Sequence, residues 1–337
     1  HNRLAENDFL DAGSKVEVCK RKDFIGRRRV IQRCLRVLQS RLGGEAYAEG
    51  VLLHGMGGLG KTSLAARLCE RLQPQGYKRI VFVGALEHED WDFLSRIKDK
   101  LASVEANRIL EEPLPLHQRL RKLFDGPLAE QSFLFVFDDF EQNMEPSGDR
   151  WIVKPEPLRI LTALLTAIRE SASESRAIIT CRYEFSPAAP LKLHEESLES
   201  LRGAELKKKL SRLTAWQIYS PKDEANKRRA EELSAGNPRL LEWLNRVLMD
   251  DALDQEAILT AMEQAVEKFR EDTLLSKLLQ QLSPECRRMI ALASVYALPF
   301  DRQALSAAAD APLDPHLSRA VALGLIEEGT IPATNGI

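Results

Sequence analysis

Residues 50–65 read GVLLHGMGGLGKTSLA. Within them, residues 55–62 satisfy G-x-x-x-x-G-K-[ST] through Gly55, Gly60, Lys61 and Thr62. The apolar run Val51-Leu52-Leu53 has the length of a strand. Residues 61–73 have the periodicity of a helix that stops before Pro74. A strand, a glycine-rich turn and a helix in that order form the context this pattern needs. The glycines let the backbone curl so that successive N–H groups face inward, and this nest with the helix N-terminus suits phosphate oxygens. The expected cradle is Gly55, Met56, Gly57, Gly58, Leu59 and Gly60, continued by Ser63 on the helix. Lys61 is expected to contact β- and γ-phosphates as a point charge. Thr62 is expected to ligate Mg²⁺ through its hydroxyl.

Further along lie RIVFVGA at 79–85, FLFVFDD at 133–139 and AIITCR at 177–182, with a fifth strand expected near Leu191–His194. Helical patterns fall between them, at 28–42 (ended by Gly43 and Gly44), up to about 125 with breaks near Pro113 and Pro115, and at 158–170. Alternating strands and helices predict a parallel α/β sheet, and nearly all-apolar strands predict helices on both of its faces. From about 198 the strands stop. Helical stretches follow at 203–213, 223–235, 238–250, 253–270 and 272–282. The expected organisation is a linker or N-terminal helix at 1–22, an α/β nucleotide-binding domain at 23–200, an all-α helical domain at 201–282 and a further domain from 283.

Asp138 and Asp139 close the third strand, where parallel sheets place ligand groups. The first acid can hold Mg²⁺ through water, and the second can orient or deprotonate an attacking water. Glu141 is near enough in sequence to serve as a helper base. Arg182 ends the next strand, and a guanidinium there can reach a γ-phosphate. On local sequence alone the favoured reading is a surface arginine capping the sheet. Cys181 reads as a small buried side chain. Residues 236–238, GNP, read by themselves as a helix junction with Pro238 at a first helical position. FIGR at 24–27 reads by itself as a helix entry.

The chain has 337 residues, a formal net charge of −2 and 29% charged residues, so it lacks the global positive field of a dedicated nucleic-acid coat. Its longest apolar runs fall short of the ~18 residues of a spanning helix. The five cysteines include no CxxC pair, which argues against a disulfide framework or closed zinc site and fits a reducing cytoplasm. His1 is not an initiator methionine, so a processed or excised chain is expected.

FIGR, GMGGLGKTSLA at 55–65, FLFVFDDFE at 133–141, TCR at 180–182 and GNP come in an order that resembles the STAND class of P-loop ATPases. That class includes the NB-ARC modules of plant resistance and apoptosome proteins, and the DDFEQN segment at 138–143 is closest to its bacterial branch. The resemblance spans about 24 to 329. It implies ATP or ADP with Mg²⁺. It implies phosphate and ion roles for Lys61 and Thr62, an ion role for Asp138 and a catalytic acid at Asp139. Arg182 would be the arginine that senses the γ-phosphate. Pro238 would pack on adenine, and Phe24, Ile25 and Arg27 would line the base. Arg28 stands where the family often has Glu. Residues 283–305 and 317–329 resemble the helices and first wing strand of a winged-helix domain, with the chain ending inside the wing.

The expected function is a slow ATPase that acts as an ADP/ATP switch. It would be the core of a cytoplasmic signalling or immune protein that self-assembles on activation, with sensor and effector domains outside this sequence. Membrane partners are not expected. A DNA-binding ATPase, such as a transcription regulator or origin-recognition-like loader, is the alternative. Arg287, Arg288 and Arg302 are its basic residues, but Asp301, Asp310 and Asp314 offset them, so a nucleic-acid partner is not expected. A kinase acting on a small substrate finds no acceptor-site constellation.

Overall fold

The apolar runs pair into one five-stranded parallel sheet in a computed structural model of the chain. Its strands are β1 (Gly50–His54), β2 (Lys78–Val83), β3 (Phe133–Asp138), β6 (Arg176–Cys181) and β7 (Leu193–Ser197), in the spatial order β2-β3-β6-β1-β7. Between β3 and β6 the short strands β4 (Met144–Ser147) and β5 (Arg150–Val153) form a separate antiparallel hairpin. The structure describes residues 10, 16, 18–86, 90–101, 103–148, 150–171, 173–218, 224–265, 270–295, 305 and 314–326. The chain divides into two compact units, His1–Glu199 and Ser200–Ile337.

Side-chain alternation explains why the strands are apolar throughout. Leu52 joins a cluster with Phe82, Phe135 and Phe137 against α3 (Asp90–Leu101), α4 (Val104–Leu110), α5 (Leu116–Asp125) and α6 (Pro155–Glu170). Val51 and Leu53 join Val136 and Ile178 on the other face, under α1 (Arg28–Leu38) and α2 (Lys61–Leu72). Gly50 begins β1 opposite Ala177. A Cβ there would lie 2.4 Å from the Ala177 carbonyl oxygen and 2.8 Å from its Cβ, so only glycine lets β1 and β6 close at this point.

The structure of this unit departs from expectation at four points. The first helix ends at Leu38, short of the glycines, and Leu42 is exposed. The Ser40 hydroxyl turns back to the Val37 carbonyl at 2.7 Å while the Ser40 carbonyl receives the Arg176 guanidinium. That contact draws the chain off the helix axis. The fifth strand runs later than expected because its charges have partners: Glu196 is buried and takes both Arg33 Nε (2.5 Å) and Nη2 (2.7 Å). The β4–β5 hairpin had no counterpart in the sequence reading. The described part of 1–22 forms no helix at 18–22. It crosses α2, with the Cys19 N–H on Ser63 Oγ (3.2 Å) and Arg67 Nη2 on the Cys19 carbonyl (2.6 Å).

The second unit is helical where described: α7 (Gly203–Leu210), α8 (Thr214–Gln217), α9 (Glu224–Ser234), α10 (Pro238–Leu248), α11 (Gln255–Gln264), α12 (Arg270–Gln280), α13 (Pro284–Ala293) and α14 (Asp314–Ala322). The stretch expected as one helix at 253–270 is not continuous, because Ala265 leaves α11 in extended backbone. One apolar cluster, including Leu244, Ile258, Met262, Leu278, Met289 and Leu323, runs through α9 to α14. Most of the expected wing region, 296–304, 306–313 and 327–337, lies outside the described residues.

Candidate functional site

The strand order places the candidate groups together. β1 lies between β6 and β7, and the chain leaves β1 toward β2 but leaves β6 in the opposite direction toward β7, so the carboxyl ends of β1 and β6 flank the switch point where such sheets hold ligands. β3 and β6 end beside it. The turn from β1 to α2 takes positive φ at Gly55 (137°), Gly58 (73°) and Gly60 (87°), the last serving as the residue before α2. The start of α2 is where backbone N–H groups lack helical acceptors.

Lys61 is 8% exposed, and its ammonium donates to the Gly55 carbonyl at 2.8 Å and the Met56 carbonyl at 3.0 Å. Among the described residues no carboxylate pairs with it. Burial lowers its pKa and nearby Arg182 adds to that, while Glu141 and Asp139 oppose it. A buried ammonium held by neutral carbonyls favours an anion, and carbonyls are weaker partners than phosphate oxygens.

Asp138 is 2% exposed. The Thr62 hydroxyl donates to its Oδ1 at 2.9 Å and the Thr180 hydroxyl donates to the same oxygen at 2.6 Å. Burial pushes the carboxyl up to about 6, the hydroxyls resist, and Asp139 and Glu141 add to the rise. Thr180 also accepts the Asp139 N–H at 3.1 Å, so one hydroxyl sets both acids. Thr180 was given no role of its own in the sequence, although a hydroxyl inside the apolar run AIITC is a signal for it. Thr62 Oγ1 and Asp138 Oδ1 are hard oxygen donors brought together from two elements, and they fit an Mg²⁺ ion.

Asp139 stands exposed at φ 53°, a left-handed turn that swings the chain out of β3 into residues 140–143. Glu141 then reaches β6. It accepts Arg182 Nε at 3.0 Å and the Arg182 backbone N–H at 3.2 Å. Asn143 is buried and bridges to the end of β2, accepting the Leu86 N–H (2.7 Å) and donating to the Gly84 carbonyl (3.0 Å). The DDFEQN segment thus fixes three strand ends at once.

Of the residues expected around the base, Arg27 donates from Nη2 to the Leu59 carbonyl at 3.3 Å. Ile25 is buried, and the Phe24 ring lies 5.8 Å from the Arg67 guanidinium carbon. Phe24 and Arg27 are therefore packed against the phosphate loop and its helix. Pro238 belongs to the other unit, where Asn237 Oδ1 caps α10 by accepting the Arg239 and Leu240 N–H groups at 3.1 and 3.3 Å. Gly236 there approaches Leu201 so closely that a Cβ would sit 2.2 Å from its carbonyl oxygen.

Residues 23–179 match the family model of the AAA ATPase domain. The curated proteins give no match. Among solved structures, the chain is similar to the signal transduction ATPase with numerous domains (STAND) protein with a tetratricopeptide repeat sensor from Pyrococcus horikoshii. The TM-score is 0.55 and the identity 20%, over 90% of this chain and 40% of that one. The chain therefore spans about 40% of that protein's length. The Walker-type ATPase of Pyrococcus abyssi aligns over 93% of both chains at 17% identity and a TM-score of 0.47. The ORC2 protein of Aeropyrum pernix aligns over 89% of this chain and 87% of that one, at 16% and 0.44. The expected resemblance to a STAND ATPase is met in the fold. With the family match laid over the loop, the two acids and the parallel sheet, residues 23–179 are similar to the AAA ATPase domain.

Proposed function

We propose that the chain is the regulatory core of a nucleotide-dependent switch of the STAND class. The observation that carries this reading is the buried Lys61 ammonium, held by two carbonyls at the start of α2 beside Asp138 and Thr62. In this reading Gly55 to Ser63 bind the phosphates of ATP or ADP, and Thr62 and Asp138 hold Mg²⁺. The bound ion would supply charge neutralisation at the phosphates. Asp139, exposed and aimed by its left-handed turn, orients water and accepts its proton. Arg182 reads the γ-phosphate, and Phe24, Ile25 and Arg27 serve the base. The sequence from 283 onward is assigned to a winged-helix domain. The five free cysteines support a cytoplasmic setting. Self-assembly and control of an effector are proposed for a longer protein, on the strength of the STAND likeness.

The pair Glu141–Arg182 makes the switch testable. A guanidinium already paired with a carboxylate exchanges that partner only for a stronger anion. Arg182→Ala should leave ADP affinity within a few-fold and weaken ATP by about 1.5–3 kcal/mol, the range of a charged hydrogen bond. Calorimetric titration with each nucleotide at fixed Mg²⁺ decides it, and equal loss for both would place Arg182 outside γ-phosphate recognition. Asp139→Asn should keep ATP affinity and slow phosphate release in single turnover by about 100-fold or more. An unchanged rate would move the base to Glu141.

A further inference from the structure

A second group of ligating side chains lies just upstream of the phosphate loop. His54 ends β1, Glu184 follows β6 by three residues, and Glu195 lies in β7. Each offers one donor atom, an imidazole nitrogen or a carboxylate oxygen, and all three atoms lie within 4.8 Å of one another. The sheet enforces the meeting. β1 and β7 are paired so that Leu52 faces Glu195 and His54 faces Ser197, while His54 also sits opposite Cys181 at the end of β6. The Ser186 hydroxyl donates to Glu195 Oε1 at 2.6 Å. Among the described residues neither Glu184 nor Glu195 has a lysine or arginine partner. Two like charges are therefore gathered around a histidine with no protein cation to balance them.

We propose that His54, Glu184 and Glu195 bind a divalent transition-metal ion of the zinc type. The donor set decides the class of ion. Magnesium and calcium take oxygen ligands, whereas imidazole suits zinc and its neighbours. Zinc holds nitrogen and carboxylate oxygen at about 2.0–2.2 Å, so tetrahedral ligands stand about 3.4 Å apart. Rotation of the two exposed glutamate side chains closes the remaining gap around the strand-held imidazole. Three protein ligands leave a position for water. The ion would tie the end of β1 to β7 and to the segment leaving Arg182. The residue after His54 is Gly55, so the ion would brace the first residue of the phosphate loop. It is separate from the oxygen pair Thr62 and Asp138, which has no nitrogen donor.

The test uses the full chain, stripped with a chelator and free of nucleotide, titrated calorimetrically with Zn²⁺ in excess Mg²⁺. One saturable zinc ion per chain is expected, undisturbed by Mg²⁺. Loss of an outer-sphere partner alone costs about 10-fold in metal affinity, so His54→Ala, Glu184→Gln and Glu195→Gln should each weaken binding by at least about 10-fold. Thr62→Ala should leave it unchanged. Glu184 is exposed, so its variant keeps the test valid should His54→Ala fail to fold. Co²⁺ in place of Zn²⁺ should give visible ligand-field bands that the Glu184 variant loses. Absence of saturable binding, displacement by Mg²⁺, or affinity indifferent to Glu184 and Glu195 would overturn the proposal.

Discussion

Lys61→Ala should remove tight binding of both ATP and ADP while the domain still folds. The ammonium is buried and its partners are carbonyls of its own loop, so its removal takes away a charge that burial disfavours. The Gly55 and Met56 carbonyls lose a donor, a cost partly recovered by water entering beside exposed Met56. The nucleotide loses a cation shared by two phosphates. Two charge-assisted contacts at about 1.5–3 kcal/mol each amount to at least about 100-fold in affinity. Titration calorimetry against Mg-ATP and Mg-ADP reads the loss, and melting without nucleotide checks the fold. Unchanged affinity for both would take the phosphates away from this loop.

Asp138→Asn should separate stability from chemistry. The carboxyl is raised from an ordinary 3.8 to about 6, chiefly by burial. A raised carboxyl binds its proton more tightly folded than unfolded. The stability this supplies is complete below about pH 4 and is lost as the pH climbs through 6. Above that, the ionised buried group costs up to about 3 kcal/mol. Asparagine keeps an oxygen for the Thr62 and Thr180 hydroxyls and does not ionise. Without nucleotide, the variant should melt higher than the parent at pH 8, and the fall in stability between pH 4 and 7 should flatten. Its Mg²⁺-dependent ATP hydrolysis should fall by about 100-fold or more, because the ion loses its anionic ligand. A variant less stable than the parent at pH 8 would mean that other groups of the chain compensate the charge.

The features that chemistry repeats in a fixed order were legible in the sequence. The glycine spacing before Lys61, the acids ending an apolar strand and the alternation of strand and helix need no tertiary knowledge. What escaped depends on contacts between distant residues. β7 was misplaced because Glu195 and Glu196 look like loop, and only Arg33, 163 residues away, makes Glu196 a strand residue. Thr180 looked like one more β-branched residue until it was seen to join Asp138 and Asp139. In the sequence Glu141 reads only as a helper base, yet it and Asn143 each close a bond to another strand end. The break at Ala265 follows no proline or glycine, so no local rule marks it.

The strand order carries a consequence for exchange of backbone hydrogens with solvent. β1, β3 and β6 are flanked on both sides, whereas β2 and β7 are the edges of the sheet. Edge amides are released by local fraying, and interior ones need openings close to the whole stability of the unit. Deuterium should therefore enter β2 and β7 well before residues 51–53, 134–137 and 177–180. Every acid or loop assigned to nucleotide chemistry hangs from one of the slow strands. Loops can rearrange in nanoseconds to microseconds. The framework that aims them stays shut for as long as the domain remains folded.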